Sequence, residues 1–152
     1  MPLVNKPSAQ TEVKRPESVL VVVYSVTQEV LCLLRADYPD FWQSVTGSLM
    51  AGERPQEAAL RELYEETGLC EADGTLVDCQ HSAYFAIYPQ WLHRYAPGVT
   101  TNLEHVFCFV MRAPQHICIS HEHTKYCWLP KEEAIRIMAS PSNQSAIKNF
   151  IK

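Results

Sequence analysis

Residues 47–69 read Gly-Ser-Leu-Met-Ala-Gly-Glu-Arg-Pro-Gln-Glu-Ala-Ala-Leu-Arg-Glu-Leu-Tyr-Glu-Glu-Thr-Gly-Leu, and no other stretch limits the possible folds as sharply. Pro55 suits the first turn of a helix, where its missing N–H costs nothing. Gly68 supplies a left-handed stop, so a helix is predicted over residues 55–67. On that helix Ala59, Leu60 and Leu63 fall on one side and need an apolar partner. Glu62, Glu65 and Glu66 recur at spacings of three and four and share another side. Three bare carboxylates held together repel one another, and a divalent cation removes that penalty. Hard carboxylate oxygens suit magnesium, which keeps part of its water shell and bridges to substrate phosphates. The residues alone therefore point to a metal-dependent enzyme acting on a phosphorylated small molecule.

The remaining composition fits a single soluble domain with a real core: 152 residues, 47% hydrophobic and 20% charged. Thirteen basic against 17 acidic residues leave a net charge of −4, so the chain has no overall field to attract nucleic acid. A polyphosphate would be drawn in by metal and a few local cations. Cys32, Cys70, Cys79, Cys108, Cys118 and Cys127 form no C-x-x-C, and several stand among apolar neighbours. They read as small buried hydrophobes in a reducing compartment rather than a disulfide framework. The one strongly apolar run, Val19–Val26, is too short to span a bilayer and follows Lys14, Arg15 and Glu17. No membrane partner and no signal peptide are expected, and a cytoplasmic location follows.

Residues 1–13 are polar, carry Pro2 and Pro7, and are predicted to be a flexible tail; residues 14–152 form one domain. Ser18–Val26 reads as a central strand and Val30–Arg35 as its hairpin partner across Thr27-Gln28-Glu29. Phe41–Val45 is a short extended piece, and Leu76–Tyr88 a bent or bulged pair of strands. Pro89–Thr101 reads as a loop; Glu104–Met111, His116–Ser120 and Tyr126–Leu129 read as further strands. A helix is predicted from Pro130 to about Ala139, then another over Ser142–Ile151 capped by Ser142 or Asn143. This order gives an α/β (α+β) fold, a mixed sheet with helices on both faces.

The stretch at 47–69 resembles the Nudix signature G-x5-E-x7-R-E-U-x-E-E-x-G-U, where U is bulky and aliphatic. Gly47, Glu53, Arg61, Glu62, Leu63, Glu65, Glu66, Gly68 and Leu69 match all nine specified positions. The resemblance implies an α/β/α sandwich whose signature forms a loop, a helix and a loop, and hydrolysis of a diphosphate linked to another group. It implies Mg2+, with Mn2+ as the alternative, held by Glu62, Glu65 and Glu66 and by the carbonyl oxygen of Gly47. Glu53 and Arg61 then form a structural ion pair. Outside the signature, Phe41–Ser48, His93–Thr100 and Lys14-Arg15-Pro16 are similar to the branch of the family that acts on dihydroneopterin triphosphate in folate synthesis. That branch cuts between the α and β phosphates to give dihydroneopterin monophosphate and pyrophosphate. The alternatives are a pyrophosphohydrolase of dATP or other nucleoside triphosphates, an RNA 5′-end pyrophosphohydrolase, and a binding domain without hydrolysis. All the signature glutamates are present, which disfavours the last.

The same resemblance makes Glu122 a distal metal ligand with a catalytic role beside Glu62, Glu65 and Glu66. Its rival, Glu104, begins a strand and reads as structural. A zinc site built on His116, His121 and His123 lacks a further ligand in zinc spacing. Lys14, Arg35 and Thr46 are candidates to face phosphate, since a guanidinium at a strand end can fork onto its oxygens. Ser140 is a further candidate from the resemblance. Phe85, Ala86, Ile87 and Tyr88 either line a flat ring pocket or form a half-buried strand, and the alternation suits both. Trp91, Tyr95 and Trp128 read as core or loop anchors. Glu66 is expected at an exposed position. A small-molecule triphosphate, pterin or nucleotide, is the expected partner, and a monomer is favoured.

Overall fold

The computed structural model describes residues 13–152; the tail expected over 1–13 lies, apart from Val13, outside them. The elements follow in the order β1 (Glu17–Ser25), β2 (Glu29–Arg35), β3 (Trp42–Gln43), β4 (Val45–Ser48), α1 (Pro55–Thr67), β5 (Gly74–Ala86), β6 (Thr101–Met111), β7 (His123–Pro130), α2 (Lys131–Ile137) and α3 (Pro141–Phe150). The strands form one mixed sheet in the order β3-β2-β1-β6-β5, with β4 paired to β1 and β7 to β2. β1 lies parallel to β6 along its whole length, from Glu17↔Leu103 to Ser25↔Met111.

The unbroken aliphatic run of β1 forces both its faces into cover, and the fold supplies a helical layer on each. Val19, Val21 and Val23 pack with Leu31, Leu33, Phe107 and Phe109 beneath Ala58, Ala59 and Leu63 of α1. Leu20 and Val22 pack with Cys32, Val106 and Cys108 beneath Ala134, Ala146 and Ile147 of α2 and α3. Alternation along one strand thus feeds two cores, as period-two geometry requires. On α1 the buried set includes Ala58, with Leu60 only half-buried.

The predicted hairpin forms, but its strands stay paired only at Tyr24↔Val30 before they diverge. Residues 42–48 fill the fork: Trp42 and Gln43 pair with β2, then Val45–Ser48 pair with the N-terminal half of β1. This wedge carries Thr46 and Gly47 to the foot of α1. The helix starts and stops where expected. Pro55 opens it, the Arg54 N–H donates to Glu57 Oε1 at 2.9 Å, and Gly68 ends it at φ 79°.

Five expectations need correction. His116–Ser120 is not a strand, because β7 occupies the edge of β2; Ile117 is buried under α1 and the Cys118 N–H donates to Thr67 O. The pair expected over Leu76–Tyr88 is one strand, β5, with a register shift between Asp78 and His81 where Gln80 has φ 54°. The loop at 89–101 contains a 3-10 turn, Pro89–Arg94. α2 ends at Ile137, and the cap of α3 is Ser140, whose hydroxyl accepts from the Asn143 N–H at 3.1 Å.

Candidate active site

Arg61 organises the glutamates of α1. Its Nε and one terminal nitrogen fork onto Glu53 at 2.8 and 2.9 Å, and that terminal nitrogen also donates to Ser48 O at 3.0 Å. Its other terminal nitrogen reaches Glu62 at 2.9 Å and Glu65 at 3.2 Å. Glu53 in turn accepts from the Met50 N–H at 2.8 Å, so the loop before α1 is tied to the helix. The guanidinium beside Glu53 holds its carboxyl below the usual range.

Glu62 lies over Gly47, where a Cβ would sit 2.1 Å from its carboxylate. Only glycine permits that approach. Glu66 is 1% exposed, not solvent-facing as expected, and its Oε1 has no partner among the described residues. Burial, and then contact with Glu62, raises its pKa well above the ordinary value; the Thr46 N–H and its place beside Glu122 complete its surroundings. Burial also raises Glu62. Glu65, by contrast, is 53% exposed and turned toward Arg61. No three His, Cys, Asp or Glu side chains among the described residues converge as a closed metal cage. The donors nonetheless fit a hard divalent cation: the part-buried Glu62 in contact with the buried Glu66, whose Oε1 is orphaned, and Glu122 within their field. Glu65 joins them only by leaving Arg61.

A cavity of about 1130 Å³ opens from these carboxylates toward the N-terminus of α3. Its cationic flank carries Lys14, Arg35 and Arg94. Burial, then Arg94 and Arg35, lowers the pKa of Lys14. Arg35 forks onto Asp37 with two bonds of 2.7 Å and lies 4.0 Å above the Trp91 ring, which itself donates to Asp37 at 3.1 Å. Arg35 therefore faces the cavity with its charge already partnered. Thr46 lines the cavity too, yet its hydroxyl donates to Val19 O at 3.0 Å. Phe85, Ala86, Ile87 and Tyr88 all line it. Phe85 and Ala86 end β5, and Ile87 and Tyr88 follow it, so this stretch is strand end and cavity wall at once. Ser140 lines it as well, with its hydroxyl used in capping.

A family profile for the NUDIX domain matches residues 14–150. The chain belongs to the Nudix family. It is 45% identical over 141 residues to a protein of Escherichia coli K12 named dihydroneopterin triphosphate diphosphatase, covering 91% of this chain and 93% of that one. A Haemophilus influenzae protein of the same name is 42% identical, covering 91% and 89%. The solved structure of the Escherichia coli dihydroneopterin triphosphate pyrophosphohydrolase superposes with a TM-score of 0.87, covering 91% of this chain and 97% of that one.

Within this Nudix domain, sequence reasoning missed one end of the cavity. Glu104, read as structural, lines it at 7% exposure together with Ser18, Asn102, Ser142 and Asn143. An isolated Glu at the head of a strand gave no periodic signal, although Glu104 and Asn102 at i and i+2 share a face. Trp91 and Tyr95, read as anchors, are also cavity wall, and Arg94 was not singled out. The three histidines part company: His116 meets the Tyr126 hydroxyl at 3.2 Å, while His121 and His123 border the cavity. His123 is buried against Gln43, and burial drives it down to about 4. No helix among the described residues is long and apolar enough to cross a membrane.

Proposed function

We propose that this chain hydrolyses dihydroneopterin triphosphate between its α and β phosphates, giving dihydroneopterin monophosphate and pyrophosphate. One observation carries the reading: a single cavity joins Glu62, which contacts the buried Glu66, and Glu122 to a flank of Lys14, Arg35 and Arg94 and ends in a polar, aromatic-edged recess. The names of the relatives supply the same substrate. Glu62, Glu66 and Glu122, with Glu65 once freed from Arg61 and the Gly47 carbonyl, are the proposed holders of Mg2+, or Mn2+ in its place. When bound, such a cation offsets phosphate charge and makes water easier to deprotonate.

The remaining work falls to the chain. Lys14 and Arg94 bind the phosphates that leave, and Arg35, pinned by Asp37 and Trp91, contributes charge with little motion. Arg61 fixes the direction of Glu62, and a carboxylate of the cluster accepts the proton of the attacking water. Positioning and charge stabilisation supply most of the rate in such displacements. The domain that performs this is proposed to span 14–152 and to act as a soluble monomer without nucleic acid.

The test is product analysis with Mg2+: pyrophosphate and dihydroneopterin monophosphate in equal amounts are expected. Orthophosphate as the first product, or no turnover, would overturn the reading. Glu66→Gln is expected to remove turnover with the fold retained.

A further inference from the structure

β6 presents Asn102 and Glu104 on the same face, two residues apart, at the end of the cavity away from α1. Both are side chains that proteins rarely bury without purpose: they are 1% and 7% exposed. Asn102 donates through Nδ2 to the Ser18 hydroxyl at 2.7 Å, but its Oδ1 has no partner among the described residues. Glu104 faces Ser18 across the parallel β1–β6 pairing and takes a hydrogen bond from Ser142. No cation is paired with it among the described residues. The nearby donors are spent elsewhere: Asn143 uses both amide atoms on Ser44, accepting from its N–H at 2.8 Å and donating to its hydroxyl at 2.9 Å. Leu20, Phe85 and Ile87 give this end apolar walls. A recess with surplus acceptors between apolar surfaces wants a flat ligand that carries N–H donors along one edge.

We propose that Glu104 is the ring-reading residue of this enzyme, its carboxyl group making a two-point pair with the amino-bearing pyrimidine edge of the substrate while Asn102 Oδ1 accepts a further amino hydrogen. This rests on the triphosphate reading above. A 2-amino-4-oxo pyrimidine edge offers three hydrogens in a row, two on the exocyclic amine and one on the neighbouring ring nitrogen. A carboxylate with an amide oxygen beside it offers the matching acceptors. An adenine edge offers an amine beside a bare ring nitrogen and needs one donor in return. A pyrimidine-dione edge has no amine at all. Burial places Glu104 at about 7, so its carboxyl group is available near neutrality in the charged form for the first edge and the protonated form for the second.

Steady-state kinetics on the full chain with Mg2+ and three substrates, dihydroneopterin triphosphate, dATP and dTTP, test this. In Glu104→Ala, kcat/KM for the two amine-bearing substrates is expected to fall about 100-fold, mainly through KM, with dTTP changed by less than about threefold. Glu104→Gln keeps one acceptor and gains one donor, so the ratio of pterin to dATP turnover is expected to drop by roughly tenfold. A purely structural role would lower all three substrates together and leave the ratios fixed, which would overturn the assignment. Wild-type protein inert toward all three would instead sink the pyrophosphohydrolase reading itself.

Discussion

A methyl group at position 47 would lie 2.1 Å from Cδ and Oε2 of Glu62, on a strand too tightly paired with β1 to give way. The glutamate must therefore swing aside in Gly47→Ala, losing its bond to Arg61. Displacing a catalytic group by about an ångström can cost roughly 100-fold in rate, and kcat/KM is expected to fall by at least that factor with the melting temperature little changed. Glu104 gives a prediction of the opposite character. Its carboxyl titrates near 7 in the folded chain, against an ordinary value of 4.5, because burial penalises the charge. The fold thus holds the proton more tightly than the unfolded chain does. Its stability is undiminished below pH 4.5 and declines as pH rises through 7. Denaturant titrations should show Glu104→Gln free of that decline and more stable than the parent at pH 8 by about 3 kcal/mol. Equal stabilities at pH 8 would mean the charge is better solvated than its burial indicates.

At the scale of elements, α1 and the loop before it are one unit joined by Arg61. Lysine retains the charge but loses the fork onto Glu53 and the reach to Ser48 O. Arg61→Lys is expected to destabilise the fold by about 1–3 kcal/mol in urea denaturation, since charge-assisted bonds at a partly buried site are lost, and to lower turnover further by freeing Glu62. This unit was also the most legible part of the sequence. Pro55, Gly68 and the glutamate spacing are local signals, and local geometry decides them. The fork between β1 and β2 was not legible, because Val30–Arg35 carries the same apolar pattern whether its neighbour is β1, β3 or β7. Nor was the lack of a strand at 116–120: Ile117 and Ile119 alternate correctly, and only the prior occupation of the β2 edge by β7 excludes them. The recess at Glu104 needed both the parallel β1–β6 register and the arrival of α3, contacts far apart in the chain.

For the molecule as a whole, the fold stores electrostatic cost at the part-buried Glu62 and the buried Glu66, two acids in contact with like charge beside them. A ligand that binds the native chain and relieves this cost must stabilise it. Adding Mg2+ or Mn2+ is expected to raise the melting temperature of the wild type, and a chelator to reverse the rise and abolish turnover together. Glu66→Gln should blunt the thermal response. A melting curve indifferent to both metals would count against the cation site. Trp91 offers a way to watch the other side of the cavity. Its indole is sandwiched into an arrangement of guanidinium above and carboxylate at its N–H, so its excited state is polarised by both. Any anion that settles beside Arg35 changes that field, and the molecule thereby carries its own fluorescent gauge of occupancy, with no dye to attach.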